Sequence, residues 1–186
     1  MDASFSIRLA TRDDIPQMDT LIPSSSFKLQ SEFYQPGQIK AALGPVFGVD
    51  EQLIEDGTYF VATIDCKIVG CGGWSFRLSQ FGGSHGRKRP TTRLDPKTDA
   101  AKIRAFFVDP AFARKGIGTA LMNACESAIV REGFSRIEIT ATLAGEKLYT
   151  RFGYRLIERM SIPLENEAPL PAVRLFKEIS SLSIES

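Results

Sequence analysis

The chain has 186 residues, of which 43% are hydrophobic and 24% charged, and this composition is ordinary for a globular protein with one substantial core. Its net charge of +1 argues against nucleic acid or an anionic membrane as a partner, because no global field attracts either. No signal-peptide pattern opens the chain and no apolar run reaches the roughly 18 residues of a transmembrane helix. We therefore expect a single cytoplasmic domain over residues 1–186.

The N-terminal quarter predicts one strand and two helices. Apolar and polar residues alternate over residues 5–9, which indicates a half-buried strand. Thr11 is a suitable N-cap for a helix that we expect to end at Leu21. A second helix is predicted from Pro36 to Leu43, because a Gly-Pro pair follows it. Residues 46–57 should be irregular or briefly helical.

A β-hairpin is the next predicted unit. Thr58–Asp65 is rich in β-forming residues, Cys66-Lys67 forms the expected tight turn, and the partner strand starts at Ile68. Trp74 near its end either lines a pocket or belongs to the core. Three glycines in the second strand indicate a bulge or a close backbone approach, namely Gly70, Gly72 and Gly73.

The regular pattern fails from Leu78 to Asp99, where glycine, serine, proline and basic residues dominate. Loops of this length inside a domain are usually functional or disordered. The loop holds His85, the only histidine, which we expect to be an exposed loop residue. A solvated surface loop and a mobile lid are the alternatives for its basic side chains, which are Arg87, Lys88, Arg89 and Arg93.

The remaining residues predict four strands and two helices. A strand over Ala101–Val108 leads into a glycine turn and then a helix that ends at Gly133. The apolar face of this helix comprises Ile117, Leu121, Ala124, Cys125 and Ala128. The later elements are strands over 136–141, 154–162 and 173–179 and a short helix over 145–152. The whole order predicts an α/β (α+β) fold with a mixed sheet of six to seven strands and helices on both faces.

The three cysteines show no paired spacing. Cys66, Cys71 and Cys125 lie in apolar runs and form no Cys-x-x-Cys motif. We expect buried, reduced thiols and no metal site.

The glycine turn Arg114-Lys115-Gly116-Ile117-Gly118-Thr119 offers several backbone N–H groups at the start of a helix. Such a helix end binds pyrophosphate, because its free N–H groups and the helix dipole both favour an anion. A Walker A loop is excluded because no lysine follows Gly118, and a dinucleotide fingerprint is excluded because Leu121 stands where the third glycine belongs. A purely structural strand-to-helix turn is the alternative.

Two stretches together resemble the GNAT superfamily of acetyltransferases. AFFVDPAFARKGIGTALM resembles the coenzyme A loop of that family, and GEKLYTRFGY further along resembles its second signature. The chain departs from the family pattern at Ala113, where relatives have Gln or Arg, at Thr142, where many have Asn, and at Gly145, where they have Ala. The resemblance implies a mostly antiparallel twisted sheet and acetyl-CoA as co-substrate, without a metal.

The resemblance also implies a site. Relatives splay the strand before the loop at a bulge, so the Phe106 N–H would point at the acetyl oxygen and the Val108 main chain would pair with pantetheine. Tyr149 would protonate the departing thiolate as a general acid, unless it is simply a core tyrosine. The implied coenzyme contacts are Phe106, Phe107, Val108, Ala113, Arg114, Lys115, Gly116, Ile117, Gly118, Thr119 and Thr142.

The sequence identifies no general base and no acceptor. Glu138 is predicted to pair with Arg104 across neighbouring strands, and water is an equally good route for the amine proton. The resemblance implies transfer of acetyl to an amine of a small molecule or peptide, with no nucleic acid or membrane as partner and a homodimer left open. A non-catalytic acyl-CoA-binding module and transfer of a longer acyl group are the alternatives. In this family the acceptor is bound by the two N-terminal helices and the variable loop. Because the loop from Leu78 to Asp99 lacks apolar periodicity and joins two strands beside the acceptor channel, we predict a mobile lid that is ordered by ligand and governs acceptor choice more than coenzyme affinity.

Overall fold

A computed structural model describes residues 4–78 and 92–179. Within these residues seven strands form one sheet in the order β1-β2-β3-β4-β5-β7-β6. The strands are β1 (Ser6–Leu9), β2 (Tyr59–Ile64), β3 (Lys67–Ser75), β4 (Ala101–Val108), β5 (Arg136–Thr142), β6 (Arg155–Leu164) and β7 (Glu167–Glu178). Only β4 and β5 run parallel, and every other neighbouring pair is antiparallel. The predicted mixed, mostly antiparallel sheet is confirmed.

Helices cover both faces of the sheet, as predicted. They are α1 (Ile15–Gln30), α2 (Pro36–Ala42), α3 (Glu51–Glu55), α4 (Ile117–Arg131) and α5 (Glu146–Arg151). α1 and α2 pack with Tyr59, Val61 and Phe107 on one face. α4 packs on the other face, where Met122 and Cys125 contact Ile103 and Trp74. Trp74 is only 2% exposed, so its interpretation as a core residue is confirmed.

The predicted end of the first helix at Leu21 is wrong. A 3-10 turn with a reciprocal Thr11–Asp14 cap precedes α1, which then continues through Pro23 to Gln30. Pro23 removes one hydrogen bond, but α1 buries an apolar and hydroxyl-bearing face along its whole length, and this packing outweighs the local loss. The extension matters because it carries the buried residues Ser25, Ser26 and Gln30 on a helix that packs against β3 and β4.

The hairpin turn lies one residue earlier than predicted. Asp65 (φ 45°) and Cys66 (φ 65°) are the two turn residues, so β3 already begins at Lys67. Two-residue hairpin turns favour left-handed backbone at both corners. Cys66 is exposed at this tip, and the prediction of a buried thiol is wrong there, whereas Cys71 and Cys125 are buried as expected.

The last strand is longer than its apolar pattern suggested. β7 begins at Glu167 and includes Pro169 and Pro171. β5 pairs with β7 only from Ala172 onward, so both prolines lie where β7 has a neighbour on one side alone. A strand tolerates proline there, because the N–H that proline lacks would have no neighbouring strand to bond.

The long loop is described only at its ends. The Leu78 N–H donates to the Thr92 carbonyl at 3.1 Å, and Arg93 lies over the Phe76 ring at 4.3 Å. The interpretations of His85, Arg87, Lys88 and Arg89 lie outside the described residues.

Candidate functional site

β4 and β5 separate midway along their length. Their parallel pairing runs only from Ala101↔Ile137 to Ile103↔Ile139, after which β5 continues with β7 alone. At the same point β4 carries a bulge. Ala105 has φ 59°, and one extra residue fits between the pairs Gly73↔Arg104 and Cys71↔Phe107. The bulge turns β4 away from β5 and opens the sheet.

A cavity of about 70 Å³ lies in this opening. Residues of the two separated strands line one part of it, and residues from α1, the segment before α3, α5 and β6 line the rest. The lining comprises Gln30, Val46, Phe47, Arg104, Ala105, Phe106, Phe107, Thr140, Ala141, Thr142, Tyr149 and Ile162. The structure therefore brings together four side chains that the sequence singled out, namely Phe106, Phe107, Thr142 and Tyr149.

Tyr149 lies at the wall of the cavity with its ring against Phe106 and Tyr154, at centroid distances of 6.3 and 6.2 Å. Only 6% of the residue is exposed, and the hydroxyl has no hydrogen-bond partner within residues 4–78 and 92–179. Burial, with a smaller contribution from Cys125, raises the pKa of Tyr149 above its ordinary value. The phenol is therefore protonated at neutral pH and free to donate into the cavity.

The glycine turn after β4 has the geometry of an anion site. A 3-10 turn over Pro110–Phe112 is capped by Asp109, whose Oδ1 accepts the Ala111 N–H at 2.9 Å. Arg114 (φ 63°) and Gly116 (φ 84°) then take left-handed backbone, and the 15-residue α4 begins at once. In the described part of the chain, the six N–H groups from Arg114 to Thr119 have no hydrogen-bond acceptor. They lie at the positive end of the α4 dipole.

The two glycines of the turn have different roles. A Cβ on Gly116 would contact nothing within 4 Å, so glycine is needed there for its positive φ. A Cβ on Gly118 would lie 3.3 Å from Leu148 Cδ2, so this glycine lets α4 approach α5. Ile117 between them is only 1% exposed. It can offer a ligand its main chain but not its side chain.

The main chain of Val108 is already in contact with α1. The N–H of Asp109 donates to Val69 on β3 at 2.9 Å, whereas the N–H of Val108 faces the opposite way and donates to Ser25 Oγ at 3.3 Å. Successive N–H groups of a strand alternate in direction. Any ligand that accepts a hydrogen bond from the Val108 N–H must therefore replace the Ser25 hydroxyl.

The predicted Glu138–Arg104 pair is wrong. Glu138 pairs with Lys102 at 2.9 Å and with Arg174 at 3.9 Å, because Lys102 is its direct cross-strand partner. Arg104 lies beyond the point where the strands separate. Its Nε is 2.9 Å from Asp50 Oδ2, and the two residues are 5% and 1% exposed.

Gln30 is a site residue that the sequence reasoning missed. It is 7% exposed, lines the cavity, and its Oε1 is buried without a hydrogen-bond partner among the described residues. The signal was the spacing of Met18, Ile22, Ser26 and Gln30 at successive helical turns, but Pro23 suggested that the helix had already ended.

No helix in the described ranges is long and apolar enough to cross a membrane.

A family model described as the acetyltransferase (GNAT) family matches residues 26–154. A search of the curated proteins finds no match to the sequence.

Many solved structures share the fold. A GCN5-related N-acetyltransferase from Rhodopseudomonas palustris is 17% identical with a TM-score of 0.70, over 96% of this chain and 98% of that one. PaiA N-acetyltransferase from Thermoplasma acidophilum, in complex with coenzyme A, is 13% identical with a TM-score of 0.66, over 94% and 99%. YncA from Salmonella typhimurium, with its cofactor acetyl-CoA, is 12% identical with a TM-score of 0.62, over 98% of both chains.

Proposed function

The chain belongs to the GNAT acetyltransferase family, and from this premise we propose that it transfers an acetyl group from acetyl-CoA to the amine of a small molecule or peptide. The amine nitrogen attacks the thioester carbon while both substrates are bound. An N–C bond forms, the C–S bond breaks, the amine loses a proton and the thiolate gains one. Two similar structures contain coenzyme A or acetyl-CoA, which supports the choice of co-substrate.

The observation that carries the proposal is the continuity of β4 with the glycine turn. One strand opens the sheet at Ala105 and leads into the six N–H groups from Arg114 to Thr119, which have no acceptor among the residues that the structure describes. These groups would hold the pyrophosphate. The pantetheine arm would then follow β4 past Val108, taking the place of Ser25 Oγ, and the thioester would reach the cavity beside Phe106 and Tyr149.

The cavity wall supplies the groups that the reaction needs. The Phe106 N–H would polarise the thioester oxygen as negative charge develops on it, which is the role of an oxyanion-hole donor. The Tyr149 hydroxyl would donate its proton to the departing sulfur. Burial in the same cavity disfavours both a phenolate and a thiolate, so it raises the pKa of the phenol and that of the thiol. The proton would therefore pass between two groups whose pKa values shift in the same direction.

The amine proton would leave through water. Among the described residues that line the cavity there is no carboxylate and no imidazole, and Arg104 is the one charged side chain. Burial in this cavity disfavours a charged ammonium group, so an acceptor that enters as a neutral amine is favoured. Gln30 Oε1 would accept a hydrogen bond from that amine and orient its lone pair, with Val46, Phe47 and Ile162 as the apolar wall.

A panel of amines tests the proposal. Free thiol and the mass of the product should both report transfer from acetyl-CoA, and thiol release without an amine should be much slower. Thiol release that stays at the uncatalysed rate with every amine would contradict transfer and would favour the acyl-CoA-binding module. The same assay with propionyl-CoA measures the preference for the acyl group.

A further inference from the structure

A buried hydroxyl lies directly behind the bulge of β4. Tyr59, the first residue of β2, is 0% exposed, and its Oη is 3.2 Å from the carbonyl oxygen of Ala105. Ala105 is the residue with left-handed backbone at the bulge. This conformation is unfavourable for a residue with a Cβ, so it persists only where the surroundings hold it.

The hydroxyl proton of Tyr59 has two acceptors within reach. Cys71 Sγ is 3.5 Å from Oη, farther than the Ala105 oxygen. A carbonyl oxygen is also the stronger acceptor, so the hydroxyl proton belongs on Ala105, and the Cys71 thiol lies 3.9 Å from the same carbonyl oxygen. Burial raises the pKa of Cys71 to about 12 and that of Tyr59 well above its ordinary value. Both groups therefore keep their protons in the neutral range.

Holding the Ala105 carbonyl also fixes the next N–H. The described chain has no cis peptide bond, and a trans peptide is planar, with its C=O and N–H pointing in opposite directions. Since the Ala105 oxygen points at Tyr59, the Phe106 N–H points away from the Tyr59 hydroxyl. Both residues of this peptide line the cavity.

We propose that Tyr59 is a positioning residue for acetyl transfer: its hydroxyl holds the bulge carbonyl of Ala105 and thereby aims the Phe106 N–H at the thioester oxygen. The inference rests on the proposed function, because it gives the Phe106 N–H the role of oxyanion donor. The neighbouring Arg104–Asp50 pair holds the Arg104 side chain on one side of the bulge.

A spectroscopic measurement tests this orientation without turnover. Acetyl-CoA that is isotope-labelled at the acetyl carbonyl is bound to the parent and to Tyr59→Phe, and the C=O stretch is recorded by infrared difference spectroscopy. When acetyl-CoA is bound to the parent, the C=O stretch should lie at a lower wavenumber than in a solvent that donates no hydrogen bond, because the carbonyl accepts the Phe106 N–H. Tyr59→Phe should lose most of this shift while its Kd for acetyl-CoA changes by less than about 3-fold.

Kinetics give the second readout. Tyr59→Phe should lower kcat by up to roughly 100-fold through misplacement of the donor and leave the KM for acetyl-CoA nearly unchanged. Tyr34→Phe is the matched control. Tyr34 is 3% exposed, and its hydroxyl donates to Pro171 at 2.7 Å and accepts the Leu143 N–H at 2.9 Å. The melting temperature of Tyr34→Phe should fall by an amount similar to that of Tyr59→Phe. Its infrared shift and its kcat should stay as in the parent.

The outcomes separate the inference from the function on which it rests. An unchanged carbonyl stretch in Tyr59→Phe overturns the positioning role, even if an amine is acetylated. If the parent lowers the C=O stretch of bound acetyl-CoA but acetylates no amine, this result contradicts the proposed function alone. If Tyr59→Phe does not fold, a crystal structure of the parent with acetyl-CoA decides: an Ala105 carbonyl turned away from Tyr59 overturns the inference, as does a parent that cannot bind acetyl-CoA.

Discussion

The ring of Tyr149 occupies the space in which a side chain on Gly145 would begin. A Cβ built on Gly145 lies 2.9 Å from Cε2 of Tyr149, closer than real Cβ contacts come. The two residues are one helical turn apart, and the Tyr149 N–H also donates to the Gly145 carbonyl at 3.3 Å. Glycine at position 145 therefore sets where the phenol lies in the cavity.

Gly145→Ala should displace this ring and slow acetyl transfer. We expect kcat to fall by roughly 10- to 100-fold, since displacement of a catalytic group by about 1 Å has effects of that size, with little change in acetyl-CoA affinity. Steady-state kinetics and a coenzyme titration measure the two quantities. The double variant with Tyr149→Phe should be no slower than Tyr149→Phe alone. Additive losses would show that Gly145 acts through something other than the phenol.

Tyr149→Phe should keep coenzyme binding and reduce kcat by roughly 10²–10⁴-fold, as expected for loss of a general acid. The free energy of unfolding of this variant should not fall through loss of a hydrogen bond, because the Tyr149 hydroxyl has no partner in the described chain. Tyr154→Phe is the contrast: its hydroxyl donates to Glu126 at 2.8 Å, so it should lose about 1 kcal/mol of unfolding free energy. Unchanged turnover in Tyr149→Phe would assign the thiolate proton to water.

Gly118→Asp should weaken coenzyme A binding by placing a negative charge beside the phosphates. Gly118→Asn is the matched control, since it has the same shape, makes the same contact near Leu148 and lacks the charge. We expect Asp to bind coenzyme A at least 10-fold more weakly than Asn at low salt, because a like charge within a few ångströms costs more than about 1 kcal/mol. Equal affinities by calorimetry would place the pyrophosphate elsewhere.

The sequence predicted what depends on local pattern. The β4 strand, the glycine turn and the start of α4 follow from an apolar run, two glycines and a helical repeat, and the structure has all three. The length of α1 was missed because proline at position 23 is a strong local stop signal, whereas the burial of Ser26 and Gln30 is a property of the whole fold.

Partner choice in the site was equally beyond local reasoning. The sequence suggested that Arg104 and Glu138 pair across neighbouring strands, but only the strand register decides which cation faces Glu138. The bulge at Ala105 then sends Arg104 to Asp50. In the sequence, Tyr59 was recognisable only as a β-forming residue. Its contact with the bulge joins positions that are 46 residues apart in the chain, so no local pattern indicates it.

Gln30→Leu should separate acceptor binding from stability. The amide oxygen is buried without a partner in the described chain, so its replacement by an apolar side chain of similar size should raise the free energy of unfolding by about 1 kcal/mol. The same change should raise the KM for the amine by roughly 5- to 10-fold, as one hydrogen bond is lost. Denaturant unfolding and amine titrations measure the two effects. A destabilised variant with an unchanged amine KM would make Gln30 a structural residue.

Ser25→Ala should tighten acetyl-CoA binding. In the free protein the Val108 N–H donates to Ser25 Oγ at 3.3 Å, and Ser25 is 3% exposed, so the pantetheine arm must displace this hydroxyl before it can pair with Val108. Removing the hydroxyl leaves the N–H without its partner in the free protein and thus favours the complex by about 0.5–1.5 kcal/mol, or roughly 2- to 10-fold in Kd. Calorimetry with acetyl-CoA measures the gain, and adenosine 3′,5′-bisphosphate, which lacks pantetheine, is the control ligand whose affinity should not change. Weaker acetyl-CoA binding would mean that Ser25 itself contacts the coenzyme, and an equal gain for both ligands would show that the effect does not pass through Val108.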